Sequence, residues 1–89
     1  MKKLYKIRIT GRVQGVWFRK NTKLQAIGFG VTGFVQNEKD GSVYIEAEGT
    51  DVDLKKLVAW CLKGPERAMV DRVDVDEAEC VGYSRFEIR

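Results

Sequence analysis

Between Leu4 and Phe29 the apolar residues of this chain change period, and they do so across a loop marked by glycine. Tyr5, Ile7 and Ile9 alternate with Lys6, Arg8 and Thr10, the period-two pattern of a half-buried strand. The stretch Gly11 to Trp17 breaks that pattern. Beyond it Phe18, Thr22, Ala26 and Phe29 recur at steps of four and three residues, as one face of a helix requires. Gly28 weakens the end of that helix, and Gly30 stands where a C′ glycine would stop it.

The same alternation of periods then repeats. Val31 to Gln36 and Ser42 to Glu48 read as strands, and the Asp40-Gly41 pair within the connection Asn37 to Gly41 reads as a hairpin. On the second of these strands Val43, Ile45 and Ala47 face inward and Tyr44, Glu46 and Glu48 outward. Gly49, Thr50 and Asp51 end the strand and offer caps for a helix reaching about Lys63. Leu54, Leu57, Val58, Cys61 and Leu62 form its core stripe at i, i+3, i+4, i+7 and i+8; Trp60 falls off the stripe. Gly64-Pro65 ends this helix. Met69 to Val75 gives a fourth strand with imperfect alternation, and the acidic run Asp74 to Glu79 reads as a strand end with an exposed loop. Ser84 to Arg89 gives a short last strand with Phe86 and Ile88 inward.

The order is βαββαβ. Helices after the first and third strands imply crossover units, so the expected fold is α+β, a ferredoxin-like sandwich of an antiparallel sheet with two helices on one face. Eighty-nine residues make a single domain, 1–89, with no linker or repeat.

Composition narrows the chemistry. With 44% apolar and 33% charged residues the chain is an ordinary globular sequence. No apolar run approaches the roughly 20 residues of a membrane span, and the N-terminal twelve residues lack the apolar core of a signal peptide, so a cytoplasmic location is expected. Cys61 and Cys80, 19 residues apart and outside any CxxC motif, read as buried or incidental thiols. Histidine is absent, which removes Ser-His-Asp and Cys-His catalysis and the common histidine zinc sites. The acidic run also lacks the spacing and glycine of a calcium loop. The net charge of +3 is unevenly spread: residues 1–37 hold eight basic side chains and no acidic one, while residues 38–89 hold eight basic and thirteen acidic. The first third presents a positive field to an anion.

Within that third, Arg19 stands at the start of a helix, where a cation opposes the helix dipole unless an anion lies between them. The free N–H groups of a first helical turn bind anions, and a loop glycine lets backbone donors approach closely. Gly15, Val16, Trp17, Phe18 and Arg19 are therefore candidates to cradle a phosphate, with the Arg19 guanidinium as a planar clamp. In a βαββαβ sandwich the loop after the first strand and the hairpin after the second lie close together, which brings Asn37 near Arg19. The Asn37 carboxamide can accept from and donate to a water, fixing its approach to phosphorus. Such a site suits phosphoryl transfer, which depends on positioning and charge stabilisation. With no evident general acid, the leaving group must depart unprotonated. A carboxylate, whose conjugate acid has a pKa of about 4, does so, and this points to acyl phosphates.

The stretch ITGRVQGVWFR, Ile9 to Arg19, resembles the first signature of the acylphosphatase family, and GFVQNEKDGSV, Gly33 to Val43, resembles its second, with Gly49 at the expected distance beyond. The likeness extends to Gly64-Pro65 and to Phe86-Glu87-Ile88. The resemblance implies a small ferredoxin-like hydrolase of acyl phosphates that uses no metal or cofactor. In it Arg19 binds the substrate phosphate and Asn37 orients the attacking water. Trp17 departs from the family pattern at a position often held by glycine, as do Lys20-Asn21 at a frequently aromatic helix start and Phe34 where tryptophan is common. Glu38 adds a negative charge beside Asn37.

Two other readings belong to the same residues. A noncatalytic anion-binding or regulatory module would use the same loop; acylphosphatase-like domains also form the N-terminus of larger hydrogenase-maturation carbamoyltransferases. An RNA-binding ferredoxin-like domain would use the sheet, where Val31 to Val35 faintly echoes an aromatic-bearing strand but lacks paired stacking aromatics. The expected partners are a small acyl phosphate and phosphate or other anions, with no nucleic acid and no membrane, on a monomer.

Overall fold

The computed structural model describes all residues from Met1 to Arg89. The elements run β1 (Lys2–Arg12), α1 (Phe18–Phe29), β2 (Thr32–Asn37), β3 (Val43–Thr50), α2 (Asp51–Lys63), β4 (Met69–Ala78) and β5 (Phe86–Ile88). They build a sheet of order β4-β1-β3-β2-β5. The first four strands pair antiparallel, as a βαββαβ sandwich requires. The sheet is nevertheless mixed, because β5 adds at the far edge parallel to β2.

The core lies between the sheet and the two helices. Ile7, Ile9, Val35, Val43, Ile45 and Ala47 from the sheet meet Phe18 and Ala26 of α1 and Leu54, Leu57 and Cys61 of α2, all buried. Each fully buried aliphatic side chain contributes about 1.5–3 kcal/mol of transfer free energy. The α1 stripe holds as expected. Thr22, a polar member of it, is fully buried and donates from Oγ1 to the Phe18 carbonyl at 2.8 Å. Gly30 caps this helix in the left-handed conformation. Thr50 caps α2, its side chain accepting from the Asp53 N–H at 3.2 Å. Leu62 is the exception on α2: it is exposed, because the sheet covers only the arc of Leu54, Leu57 and Cys61. Trp60, off that arc, packs edge-on against Phe18 with ring centroids 5.4 Å apart. Cys61 and Cys80 are both free, the first buried, where the apolar surroundings push its thiol up to about 12.

The imperfect alternation of β4 has a physical cause. The register against β1 slips between Thr10 and Gly11, so that Thr10 faces Arg72 but Gly11 faces Val70. One residue is therefore extra, a β-bulge, and the inward valines are Val70 and Val73 rather than an alternating set. Gly11 sits at φ 132°, and a Cβ there would run into the Met69 carbonyl. β4 also runs on through the acidic stretch to Ala78, further than a strand end at Val75.

The sheet face away from the helices is not simply solvated. From Ala78 the chain must travel from one edge of the sheet to the other before β5 can pair with β2, and it does so across this face. Glu48, on β3, holds the crossing. Its carboxylate is only 4% exposed and accepts from the backbone N–H groups of Val81, Gly82 and Tyr83. Leu4 is buried here as well. Further along, Tyr44 and Tyr83 both donate their hydroxyls to Glu46 at 2.6 Å, and Phe34 lies buried against both rings with the Arg89 guanidinium 4.1 Å from its centroid. Burial beside that carboxylate pushes the Tyr83 hydroxyl up to about 12.

Burial alone would raise the Glu48 carboxyl. The N–H groups of Gly82, Val81 and Tyr83 outweigh it and hold the group below its ordinary value. A depressed folded-state value stabilises the fold above the unfolded value, near 4.5, and that stabilisation is lost as the pH falls through the folded one. Glu48→Gln is expected to lower stability by about 2 kcal/mol at neutral pH. In urea titrations the gap between wild type and variant should close progressively below about pH 4.5; a gap that persists unchanged at pH 2.5 would contradict the ionic anchor.

Candidate active site

The strand ends β1, β2 and β5 and the start of α1 meet at one end of the sheet around a cavity of about 360 Å³. Gly15, Trp17, Phe18, Arg19 and Asn37 line it, together with Val13, Lys20 and Ile88. Arg19 and Asn37, 18 positions apart in sequence, thus share one cavity. Val16 does not line it. It is buried in the core and borders the adjoining groove. Ile88, expected in the core, is 42% exposed and stands at the cavity instead, while Phe86 is buried as expected.

The loop has the donor arrangement of an anion cradle. Gly15 and Trp17 are both left-handed, at φ 73° and φ 65°. None of the backbone N–H groups from Gly15 to Arg19 donates within the chain. Helix α1 begins with no side-chain cap and no acidic residue in its first turn. Successive unpaired N–H groups running into a helix start are the arrangement that binds anionic oxygens. Arg19 adds its guanidinium, which forms no ion pair with any acidic side chain of the protein.

Trp17 is the one non-glycine residue with positive φ. An L-residue in that region costs roughly 1–2 kcal/mol. Its carbonyl is fixed by two donors, the Asn21 N–H at 3.1 Å and the Asn21 Nδ2 at 2.9 Å. The indole is left 67% exposed, with the Lys20 ammonium 5.6 Å from the ring centroid.

Asn37 ends β2 on the face that carries Val35, toward the helices. Its carboxamide is the exception in a well-satisfied structure: Oδ1 is buried and has no hydrogen-bond partner. Buried polar atoms are paired in the great majority of cases, so an unpaired one lining a cavity marks a place where a ligand or water completes it. Glu38, one residue on, lies on the opposite face by the alternation of the strand. There it meets the Arg8 guanidinium at 3.6 Å and accepts from Gln36 Nε2 at 2.8 Å, outside the cavity. Its charge is thus balanced by Arg8 and does not face the anion loop.

Gln14 is a residue the sequence did not single out. Its Nε2 donates to the carbonyls of Glu38 at 2.8 Å and Ser42 at 2.9 Å, spanning from the loop to both ends of the β2–β3 hairpin. Those two residues also close the hairpin, with the Glu38 N–H donating to the Ser42 carbonyl at 2.8 Å. Ser42, buried, donates in turn to Asp40, and accepts from Arg8 at 2.9 Å. The sequence signal was present: a glutamine between Val13 and Gly15 in a glycine loop. What it bonded to depended on the tertiary fold.

The acylphosphatase family model matches residues 5–88. An acylphosphatase of Thiobacillus denitrificans is 49% identical over 89 residues, covering 100% of this chain and 98% of that one. Among solved structures, an acylphosphatase from Bacillus subtilis superposes with a TM-score of 0.96 at 36% identity, over 100% of this chain and 99% of the other. One from Coxiella burnetii gives a TM-score of 0.96 at 32% identity, over 99% and 93%. A match along nearly the whole length, in sequence and in backbone, places the glycine loop, the hairpin and the strand order in a single lineage: the chain belongs to the acylphosphatase family.

Proposed function

We propose that this protein hydrolyses acyl phosphates to a carboxylate and inorganic phosphate at the cavity between the Gly15–Arg19 loop and Asn37, without a metal or other cofactor. The observation that carries the reading is the pairing, in one cavity, of an unsatisfied loop of N–H donors with an unsatisfied carboxamide. The N–H groups and the Arg19 guanidinium hold the phosphoryl oxygens and neutralise charge as it develops there. Asn37 orients a water in line with phosphorus. Water oxygen bonds to phosphorus, the phosphorus–acyl oxygen bond breaks with its electron pair, and the carboxylate leaves unprotonated. The proton of the attacking water passes to the phosphate product or to solvent.

Arg19 and the loop supply the positive charge that a divalent ion would otherwise bring, and no group of three His, Cys, Asp or Glu side chains is arranged to hold one. Gln14 is a positioning residue in this scheme, since it fixes the loop against the hairpin that presents Asn37. No helix is long and apolar enough to cross a membrane.

Assays with acetyl phosphate in the presence of a chelator test the reading directly. Wild type is expected to turn over. Arg19→Ala should lose roughly 10³-fold in kcat/KM together with phosphate affinity. In Asn37→Ala the expectation is a loss of about 10²–10³-fold in kcat with phosphate binding, measured by calorimetry, largely kept. Absence of turnover in a folded wild type that still binds phosphate would favour a noncatalytic anion-binding module. Gln14→Ala should lower kcat by about 10–100-fold with a smaller change in phosphate affinity, because it frees the hairpin that presents Asn37 while the buried Val13, Val16 and Phe18 still anchor the loop donors. Equal losses in binding and turnover would count against that role.

A further inference from the structure

Trp17 and Lys20 line two cavities at once. Beyond them, on the outer side of the indole, lies an open groove of about 520 Å³ walled by Leu24 and by Arg67 and Glu66 from the segment after α2. The groove adjoins the anion cradle at the Trp17–Lys20 pair. Three features mark it as more than surface relief. Trp17 keeps a strained backbone conformation and yet exposes its indole, which core packing does not explain. Lys20 holds its ammonium over that ring, at the boundary of the two cavities. Lys20 and Arg67 line one groove from two separate segments, and neither forms an ion pair with an acidic side chain, so both charges are open to a ligand there. Glu66, the acid in the groove, is likewise without an ion pair, so the groove holds two cations against one anion.

We propose that this groove is the acyl subsite, and that it selects acyl phosphates whose acyl group bears a second anionic group. The proposal rests on the acyl-phosphate hydrolysis described above. With phosphate in the cradle, the acyl group leaves over the face of Trp17, which offers it an apolar platform. A carboxylate or phosphate at its far end meets Lys20 and Arg67. A short neutral acyl group such as acetyl ends before the groove and gains nothing from it.

Rigid aryl substrates separate this from alternatives, because they differ only at the distal end: benzoyl phosphate, 4-carboxybenzoyl phosphate and 4-phosphonobenzoyl phosphate. Wild type is expected to favour the charged substrates over benzoyl phosphate by about tenfold in kcat/KM at low ionic strength, as two partly exposed ion pairs allow. The carboxylate and phosphonate arms identify which anion the groove prefers. Lys20→Gln and Arg67→Gln should each reduce that ratio severalfold, and raised salt should reduce it in wild type. Lys23→Gln, a cation on the same helix outside the groove, should leave the ratio unchanged. Equal kcat/KM for all three substrates would overturn the proposal. So would a ratio that survives Lys20→Gln and Arg67→Gln, or one that Lys23→Gln lowers equally, since the general positive field would then be its source. Failure to hydrolyse any of the three, or acetyl phosphate, would instead remove the acyl-phosphate reading itself.

Discussion

Gln14 Nε2 lies within hydrogen-bond distance of two carbonyls at the two ends of one hairpin, and that contact ties together the loop and the hairpin whose neighbouring residues line the cavity. A loop with unpaired N–H groups gains nothing internal from its own order, so its conformation has to be imposed from outside. The buried Val13, Val16 and Phe18 fix it on one side. On the other, the Gln14 amide closes the distance to Glu38 and Ser42, and Arg8 and Asp40 hold Ser42 in place. Preorganisation of this kind lets weak donors act as strong ones, because they do not have to reorganise when charge arrives.

The opposite end of the sheet solves a different problem. Chain connectivity places β4 at one edge and β5 at the other, so seven residues between Ala78 and Phe86 must cross a face that would otherwise be solvated. A buried carboxylate is costly unless its oxygens are satisfied, and here backbone donors satisfy them. The crossing in turn delivers β5 alongside β2, parallel, with Ile88 opposite Val35 and at the cavity. Glu48 is thus far from the candidate site and still sets one of its walls.

Most of the architecture was legible because period and punctuation agreed. Tyr5, Ile7 and Ile9 pointed inward as their alternation demanded, Asp40-Gly41 lay in a hairpin turn, and Gly30 and Gly64 ended their helices. Arg19 and Asn37 were legible as chemistry, since a cation at a helix start and an asparagine at a strand end each require a reason. What escaped was whatever depended on a second strand. The bulge opposite Gly11 exists only in the register of β1 against β4. The burial of Glu48 depends on a loop more than thirty positions later. Parallel pairing of a three-residue strand leaves no periodic trace. Leu62 and Ile88 fit their patterns and failed on depth, because a stripe or an alternation fixes direction and not how far the neighbouring element extends.

Trp17 reveals something about what has shaped this chain. Every other residue in the left-handed region is glycine, the residue that occupies it without penalty. A sequence under pressure for thermodynamic robustness alone would place glycine here too, and the indole returns little, being mostly in water. Its presence costs folding free energy at a loop where its side chain borders two cavities. Local violations of folding rules tend to collect where function outweighs stability. On the proposed function the helix start is such a place, and variants of this protein selected for heat resistance are expected to give up Trp17 early.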